Sequence, residues 1–165
     1  SGASGGTDIF YGNGGNDTFT LNHGSFRSSD GYFDGGEGGA DVLVLGSGSD
    51  LDFGLHQVNR IEVLDITNGA AISQEPTIKL TADHILAFTE DTNSILSGKG
   101  INSNALIVNG GLGQSLDLTG FTQGSTESLS AAEAGSYSGS YTIYSDATSG
   151  THVYVHSNIS VTGLP

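Results

Sequence analysis

Two glycine-rich phrases near the start of the chain nearly coincide. Residues 12–20 read Gly-Asn-Gly-Gly-Asn-Asp-Thr-Phe-Thr, and residues 36–44 read Gly-Glu-Gly-Gly-Ala-Asp-Val-Leu-Val. Each is a glycine turn followed by an Asp, one spacer and an apolar residue that enters a strand. Glycines allow backbone conformations closed to other residues and let carbonyl oxygens face an ion, while the Asp supplies a charged oxygen. The pattern predicts turns that bind Ca²⁺ and fold with it.

Eight acidic residues lie between residues 5 and 52, and we predict all of them as calcium ligands. Ca²⁺ takes about six to eight oxygen ligands, and without a cation such a dense group of acids repels itself. The alternative is that they are solvated acids on glycine turns, and the last two fit equally well as charges at a strand edge. The predicted ligands are Asp8, Asp17, Asp30, Asp34, Glu37, Asp41, Asp50 and Asp52.

The charge balance limits the possible partners. The chain has 18 acidic and four basic residues, for a formal net charge of −14. Nucleic acid and anionic membranes would repel it, and its hydrophobic stretches are too short to span a membrane. With no Cys it has no disulfides, so bound calcium is the expected source of extra stability. Because Met is also absent, we expect the sequence to be part of a larger chain.

Short strand-like runs between glycine turns predict an all-β fold with one short helix. We expect a single domain over residues 1–165, with a calcium-loop segment at 1–54 and a strand segment at 55–165. Residues 122–139 lack periodicity and are predicted as a long surface loop. Strands are predicted at 60–66, 77–80, 105–108, 115–118, 141–144, 151–155 and 159–161, and a helix capped by Thr81 at 81–88.

The spacing of the acids argues against a continuous stack of calcium turns. Asp8 and Asp17 are nine residues apart, as are Asp41 and Asp50, but Asp17 and Asp41 are 24 apart. A parallel roll built from nonapeptides keeps multiples of its repeat. We therefore predict isolated calcium loops on a β-sandwich, with the remnant of an upstream array as the alternative.

Motifs along nearly the whole chain resemble, in their order, the C-terminal regions of giant RTX adhesins. These are bacterial biofilm and surface-attachment proteins exported by type I secretion. The resemblance implies a secreted, calcium-dependent β-sandwich at the bacterial cell surface, from the region that carries peptide-binding and sugar-binding modules. Residues 14–19 resemble an RTX repeat, 60–65 the I-E-x-L-D strand and 80–86 the L-x-x-x-D-V-L helix of these proteins. Residues 105–118 resemble the strand pair that follows, and 141–155 the closing hairpin.

The expected function is adhesion without catalysis, by calcium-dependent capture of a peptide terminus on a host or neighbouring cell. A glycan is the alternative ligand, and a calcium-stiffened spacer or folding module is the alternative role. Arg27, Tyr32 and Phe33 lie beside the acids and are the predicted ligand-binding residues; their structural alternative is a local core with a charge-balancing Arg. No Gly-x-Ser-x-Gly sequence lies between a predicted strand and a predicted helix, and Trp is absent, which disfavours an esterase and a glycosidase.

Overall fold

The structure is a computed structural model that describes residues 9–21, 31–46, 57–67, 78–89 and 92–165. These residues form mainly short strands, so the predicted all-β class is confirmed. The strands are β1 Ile9–Tyr11, β2 Thr18–Leu21, β3 Tyr32–Asp34, β4 Val42–Leu45, β5 Gln57–Asn59, β6 Val63–Asp65, β7 Ile78–Lys79, β8 Ala105–Asn109, β9 Ser115–Asp117, β10 Thr122–Leu129, β11 Gly139–Asp146, β12 Thr151–His156 and β13 Ser160–Thr162. The helices are α1 Ala82–Phe88 and α2 Ala131–Ala134.

Most of the strand pairing is parallel. The long sheet has the order β10-β11-β12-β8-β6-β4-β2, in which β12 to β2 are parallel and β11 and β10 extend it by antiparallel pairing. Two small parallel sheets contain β1-β3-β5 and β13-β9-β7. The β-sandwich predicted from sequence is not confirmed by this topology.

The first six strands stack as three coils, each of which gives one strand to a small sheet and the next to the long sheet. The strands of each coil are joined by a first turn (residues 12–17), a second turn (35–41) and a third turn (60–62). The prediction that the glycine turns do not stack is wrong, because Gly14 in the first turn pairs with Glu37 in the second. Stacking requires turns in register and does not require a constant sequence repeat. The residues that make the spacing from Asp17 to Asp41 irregular lie between β2 and β3.

Side-chain alternation in the long sheet creates a core on each face. Leu64 and Leu106 belong to the first core, which both small sheets and α1 cover. Val63 and Ile107 belong to the second core, which α2 and the 3₁₀ turn Ser94–Leu96 cover. Burial on both faces explains why these strands are apolar at consecutive positions.

Local signals predicted the helix correctly. Helix α1 begins after Thr81, whose hydroxyl accepts the backbone N–H of His84 at 3.3 Å, as the cap pattern indicated. The predicted strands between 77 and 161 correspond to β7, β8, β9, β11, β12 and β13, with small shifts at their ends. In the described part of the chain, no helix has the length and apolar character needed to cross a membrane.

Two other predictions are wrong. Residues 122–139 contain β10 and α2 rather than a loop, because β10 is an edge strand of polar, mostly exposed residues and shows no hydrophobic period. The predicted strand at 60–66 is interrupted, because Arg60 has a φ of 52° and turns the chain between β5 and β6.

Candidate cation site between the stacked turns

Hydrogen bonds hold the second turn against the first. The backbone N–H of Glu37 donates to the carbonyl of Asn13 at 2.8 Å. The side chain of Asn16 adds a second link, since its Oδ1 accepts the backbone N–H of Ala40 at 3.0 Å. Two N–H groups within the second turn are therefore bonded to the first turn, which fixes the position of one turn on the other.

The acids that end the three turns form an acidic ladder, composed of Asp17, Asp41 and Glu62. The backbone N–H of Asp17 donates to Asp41 Oδ1 at 2.7 Å, and the backbone N–H of Asp41 donates to Glu62 Oε2 at 2.6 Å. The backbone N–H of each aspartate thus holds one carboxylate oxygen of the acid in the next coil. The remaining oxygens of the two aspartates lie beside glycines at the start of their turns.

Two matching pairs of oxygens lie between successive coils. A Cβ placed on Gly12 would overlap both Asp17 Oδ2 and the carbonyl oxygen of Gly35. A Cβ placed on Gly35 would overlap both Asp41 Oδ2 and the carbonyl oxygen of Arg60. Each pair combines a ladder carboxylate with a backbone carbonyl of the next coil, around a space that only glycine leaves open. We call these the first and second oxygen pairs.

The electrostatics of both pairs favour a cation. Asp17 Oδ2 is buried and has no hydrogen-bond partner among the described residues. Asp41 is only 1% exposed, and burial raises the pKa of its carboxyl, with a further contribution from the charge of Asp17. A buried carboxylate oxygen without a partner is costly. Carboxylate and carbonyl oxygens are the donors that Ca²⁺ selects, so these residues fit the ion.

The structure brings two of the eight predicted ligands, Asp17 and Asp41, to the oxygen pairs. Within the described residues, no group of three or more His, Cys, Asp or Glu side chains could hold a metal ion. The oxygen pairs are not such a group, because half of their donors belong to the backbone. Four predicted ligands lie outside the described residues, namely Asp8, Asp30, Asp50 and Asp52.

Asp34 is bound to Arg60 and does not reach either oxygen pair. Arg60 Nε donates to Asp34 Oδ1 at 2.6 Å, and a second guanidinium N–H donates to Oδ2. The hydroxyl of Tyr32 and the backbone N–H of Gly36 add bonds of 3.2 and 3.1 Å. These donors, Arg60 foremost, lower the pKa of Asp34. The metal roles of Asp34 and Glu37 stay predictions: these donors engage Asp34, and Glu37 is exposed.

The two predicted ligand-binding residues that the structure describes, Tyr32 and Phe33, lie in a local aromatic cluster. Phe33 is 1% exposed and stacks on Phe10 with ring centroids 5.1 Å apart, so its burial does not fit ligand contact. Tyr32 is half-buried, and its ring centroid lies 5.7 Å from that of Tyr11. Arg27 lies outside the described residues, and the Arg that balances charge in this local core is Arg60.

A cavity of about 270 Å³ lies beside the third turn. The third turn has three residues where the second has seven, and the cavity separates it from the glycines of the second turn. Thr92 and Ser94 also border the cavity, and their segment reaches both turns. Ser94 Oγ donates to the carbonyl of Gly39, and Asn93 Nδ2 donates to the carbonyl of Glu62 at 3.0 Å. The lining residues are Gly36, Gly38, Gly39, Arg60, Glu62, Thr92 and Ser94.

Arg60 and Glu62 are not among the site residues predicted from the sequence. A signal for Glu62 exists, because Glu62-Val63-Leu64 repeats the acid-Val-Leu order of Asp41-Val42-Leu43, and β4 and β6 pair in that register. For Arg60 no comparable local signal exists, since its role depends on a turn conformation and on a partner 26 residues away.

Comparison of the chain with protein-family models, with curated proteins and with solved structures found no match. The oxygen pairs and the cavity beside them are therefore the features that indicate a function.

Proposed function

We propose that this chain is a calcium-dependent ligand-binding module of an extracellular bacterial adhesin, without catalytic activity. The observation that carries this proposal is the repetition of the oxygen pair, first at Asp17 and Gly35 and again at Asp41 and Arg60. The resemblance to RTX adhesins supplies the setting: secretion, the bacterial cell surface and a longer multidomain chain.

Each oxygen pair would hold one Ca²⁺ through a ladder carboxylate and a carbonyl of the next coil. Water and neighbouring groups would supply the rest of the about six to eight ligands. When bound, the ion supplies positive charge that offsets the buried acids. For the second pair the chain itself does the positioning, because the ladder hydrogen bond of 2.7 Å from the N–H of Asp17 orients the carboxylate of Asp41 before an ion arrives.

Ligand capture is favoured over a purely structural spacer because the cavity adjoins the second oxygen pair. Arg60 belongs to both, through its carbonyl oxygen and through its place in the cavity wall. A ligand in the cavity would therefore contact a residue whose position depends on the ion. The spacer remains the alternative, and it requires only the calcium-dependent fold.

Calorimetric titration of Ca²⁺ into the stripped chain tests this proposal. We expect Asp17→Asn and Asp41→Asn each to lose one bound ion, because each replaces a charged donor by a neutral one of the same shape. The matched control is Asp146→Asn, since Asp146 accepts the N–H groups of Thr148 and Ser149 in a distant hairpin turn and should keep the full stoichiometry. No calcium binding by the unmodified chain, or full stoichiometry in both ladder variants, would contradict the proposal.

A further inference from the structure

The wall of the cavity beside the third turn combines polar side chains with glycine backbone. Its side chains are one guanidinium, one carboxylate and two hydroxyls, from Arg60, Glu62, Thr92 and Ser94, and the rest is glycine backbone. Small-molecule pockets are usually lined by hydrophobic and aromatic groups. None of the residues lining this cavity has an apolar side chain, although carbon atoms of these residues also face it, so a ligand there needs hydrogen-bonding groups as well as carbon surface.

The charges in the wall favour a neutral ligand. An anionic group, such as a peptide carboxylate, would compete with Asp34 for the guanidinium of Arg60 and would face the carboxylate of Glu62. A cationic group would face Arg60. A hydroxyl group meets both charges, because its O–H can donate to a carboxylate while its oxygen accepts from a guanidinium.

The size of the cavity fits one ring, and part of its wall is rigid. Its volume of about 270 Å³ is slightly below the roughly 300–1,000 Å³ of pockets for drug-sized ligands. Asn93, which follows Thr92 in the wall, is buried, and its Nδ2 donates to the carbonyls of Glu62 and Ala105 at 3.0 and 2.9 Å. Since this wall is held in place without a ligand, binding requires little ordering.

We propose that the cavity binds one sugar ring, as the terminal residue of a glycan, through adjacent hydroxyls on Glu62 and Arg60. This inference rests on the proposed function, because the carbonyl of Arg60 also belongs to the second oxygen pair. Removal of calcium should therefore weaken sugar binding as well.

The test uses the whole chain in saturating Ca²⁺ and a panel of methyl glycosides of glucose, mannose, galactose, fucose and N-acetylglucosamine. Saturation-transfer NMR should detect at least one of them. Thr92→Trp fills the cavity and should abolish the signal. Glu62→Gln keeps an acceptor for the N–H of Asp41 but removes the charge, and should raise Kd about tenfold, as expected for one charge-assisted hydrogen bond. Thr122→Trp, on the exposed edge strand β10, is the matched control and should bind normally.

Thermal melts of the same samples, with Ca²⁺ and with EGTA, separate the two proposals. If calcium stabilises the chain but no glycoside binds, or if Thr92→Trp binds as well as the unmodified chain, the sugar site is wrong and the calcium module stands. Binding of a peptide with a free but not an amidated C-terminus, lost in Thr92→Trp and without any glycoside signal, would also overturn the sugar site. Equal melting midpoints in Ca²⁺ and in EGTA would overturn the proposed function on which the sugar site depends.

Discussion

The three coils and the remainder of the molecule form opposite ends of the long sheet and differ in what stabilises them. Strand β8, near the middle of the sheet, is completely buried from Ala105 to Val108. Strand β1, at the outer edge of the coils, leaves Ile9 56% and Tyr11 60% exposed. The downstream strands are stabilised by apolar burial, whereas the coils combine buried apolar residues such as Phe33 and Leu43 with glycine turns, hydrogen bonds and buried acids. Calcium dependence should therefore be local to the coils, which alone contain the oxygen pairs.

The third coil joins the two regions and compensates a buried acid with a basic side chain. The guanidinium of Arg60 neutralises Asp34 without any ion. The N–H of Ile61 donates to the carbonyl of Phe88 at the end of α1, at 2.9 Å, which ties this coil to the downstream region. We therefore expect stability to fall from the third coil to the first when calcium is withdrawn.

Calcium removal should have the largest effect. At a free Ca²⁺ concentration of about 100 times Kd, two bound ions together add about 5 kcal/mol to the free energy of unfolding. For a chain of this size this corresponds to a shift in melting midpoint of roughly 10–20 °C. Hydrogen exchange in EGTA should show loss of protection in β1 to β4, while β8 and β12 stay protected. Loss that is uniform over both regions would contradict a local role for the ion.

A methyl group on Gly35 should have the next largest effect. Its Cβ would overlap the backbone carbonyl of Arg60 and Asp41 Oδ2, and a backbone atom cannot move aside by rotation. Gly35→Ala should cost about 3 kcal/mol, at the upper end for overpacking, and should weaken calcium binding. Gly98→Ala is the matched control, since Gly98 is exposed and a Cβ there meets no atom within 4 Å. Equal denaturation midpoints for the two variants would show that the second oxygen pair is placed incorrectly.

The coils also show what could and could not be predicted from the sequence. Asp17 and Asp41 can be predicted as candidate ligands because a glycine turn, an acid and an apolar residue are adjacent in the chain, and their metal role stays a prediction. The stacking of their turns depends on pairing between residues 24 apart, which no local pattern records. The conformation of Arg60 and the polar edge strand β10 were missed for a related reason, since tertiary contacts rather than hydrophobic periodicity determine both.

Loss of the Asn93 side chain tests the boundary between the two regions. Asn93 is buried and donates to the carbonyls of Glu62 and Ala105, so Asn93→Ala leaves two buried acceptors without this donor. We expect a loss of about 2 kcal/mol in unfolding free energy from denaturant titration. Asn158→Ala is the control, because Asn158 is exposed in a turn and donates through its backbone N–H. An unchanged unfolding free energy in Asn93→Ala would mean that residues 92–94 do not hold the third coil in place.

The smallest effect is expected at Glu133, far from the acidic ladder. Its Oε2 accepts the N–H and the hydroxyl of Ser130 at 2.8 and 2.6 Å, and its Oε1 lies 3.1 Å from Lys99 Nζ. These contacts, those of Ser130 foremost, lower the pKa of Glu133 to about 2 from 4.5.

Because the folded pKa is depressed, the stabilisation by Glu133 is present above pH 4.5 and is lost as the pH falls towards 2. The difference in melting midpoint between the unmodified chain and Glu133→Gln should be small at neutral pH and should shrink over that range. Ser130→Ala should flatten this pH dependence more than Lys99→Gln, since the Ser130 bonds contribute most to the shift. A difference that grows on acidification would have the wrong sign for a depressed pKa.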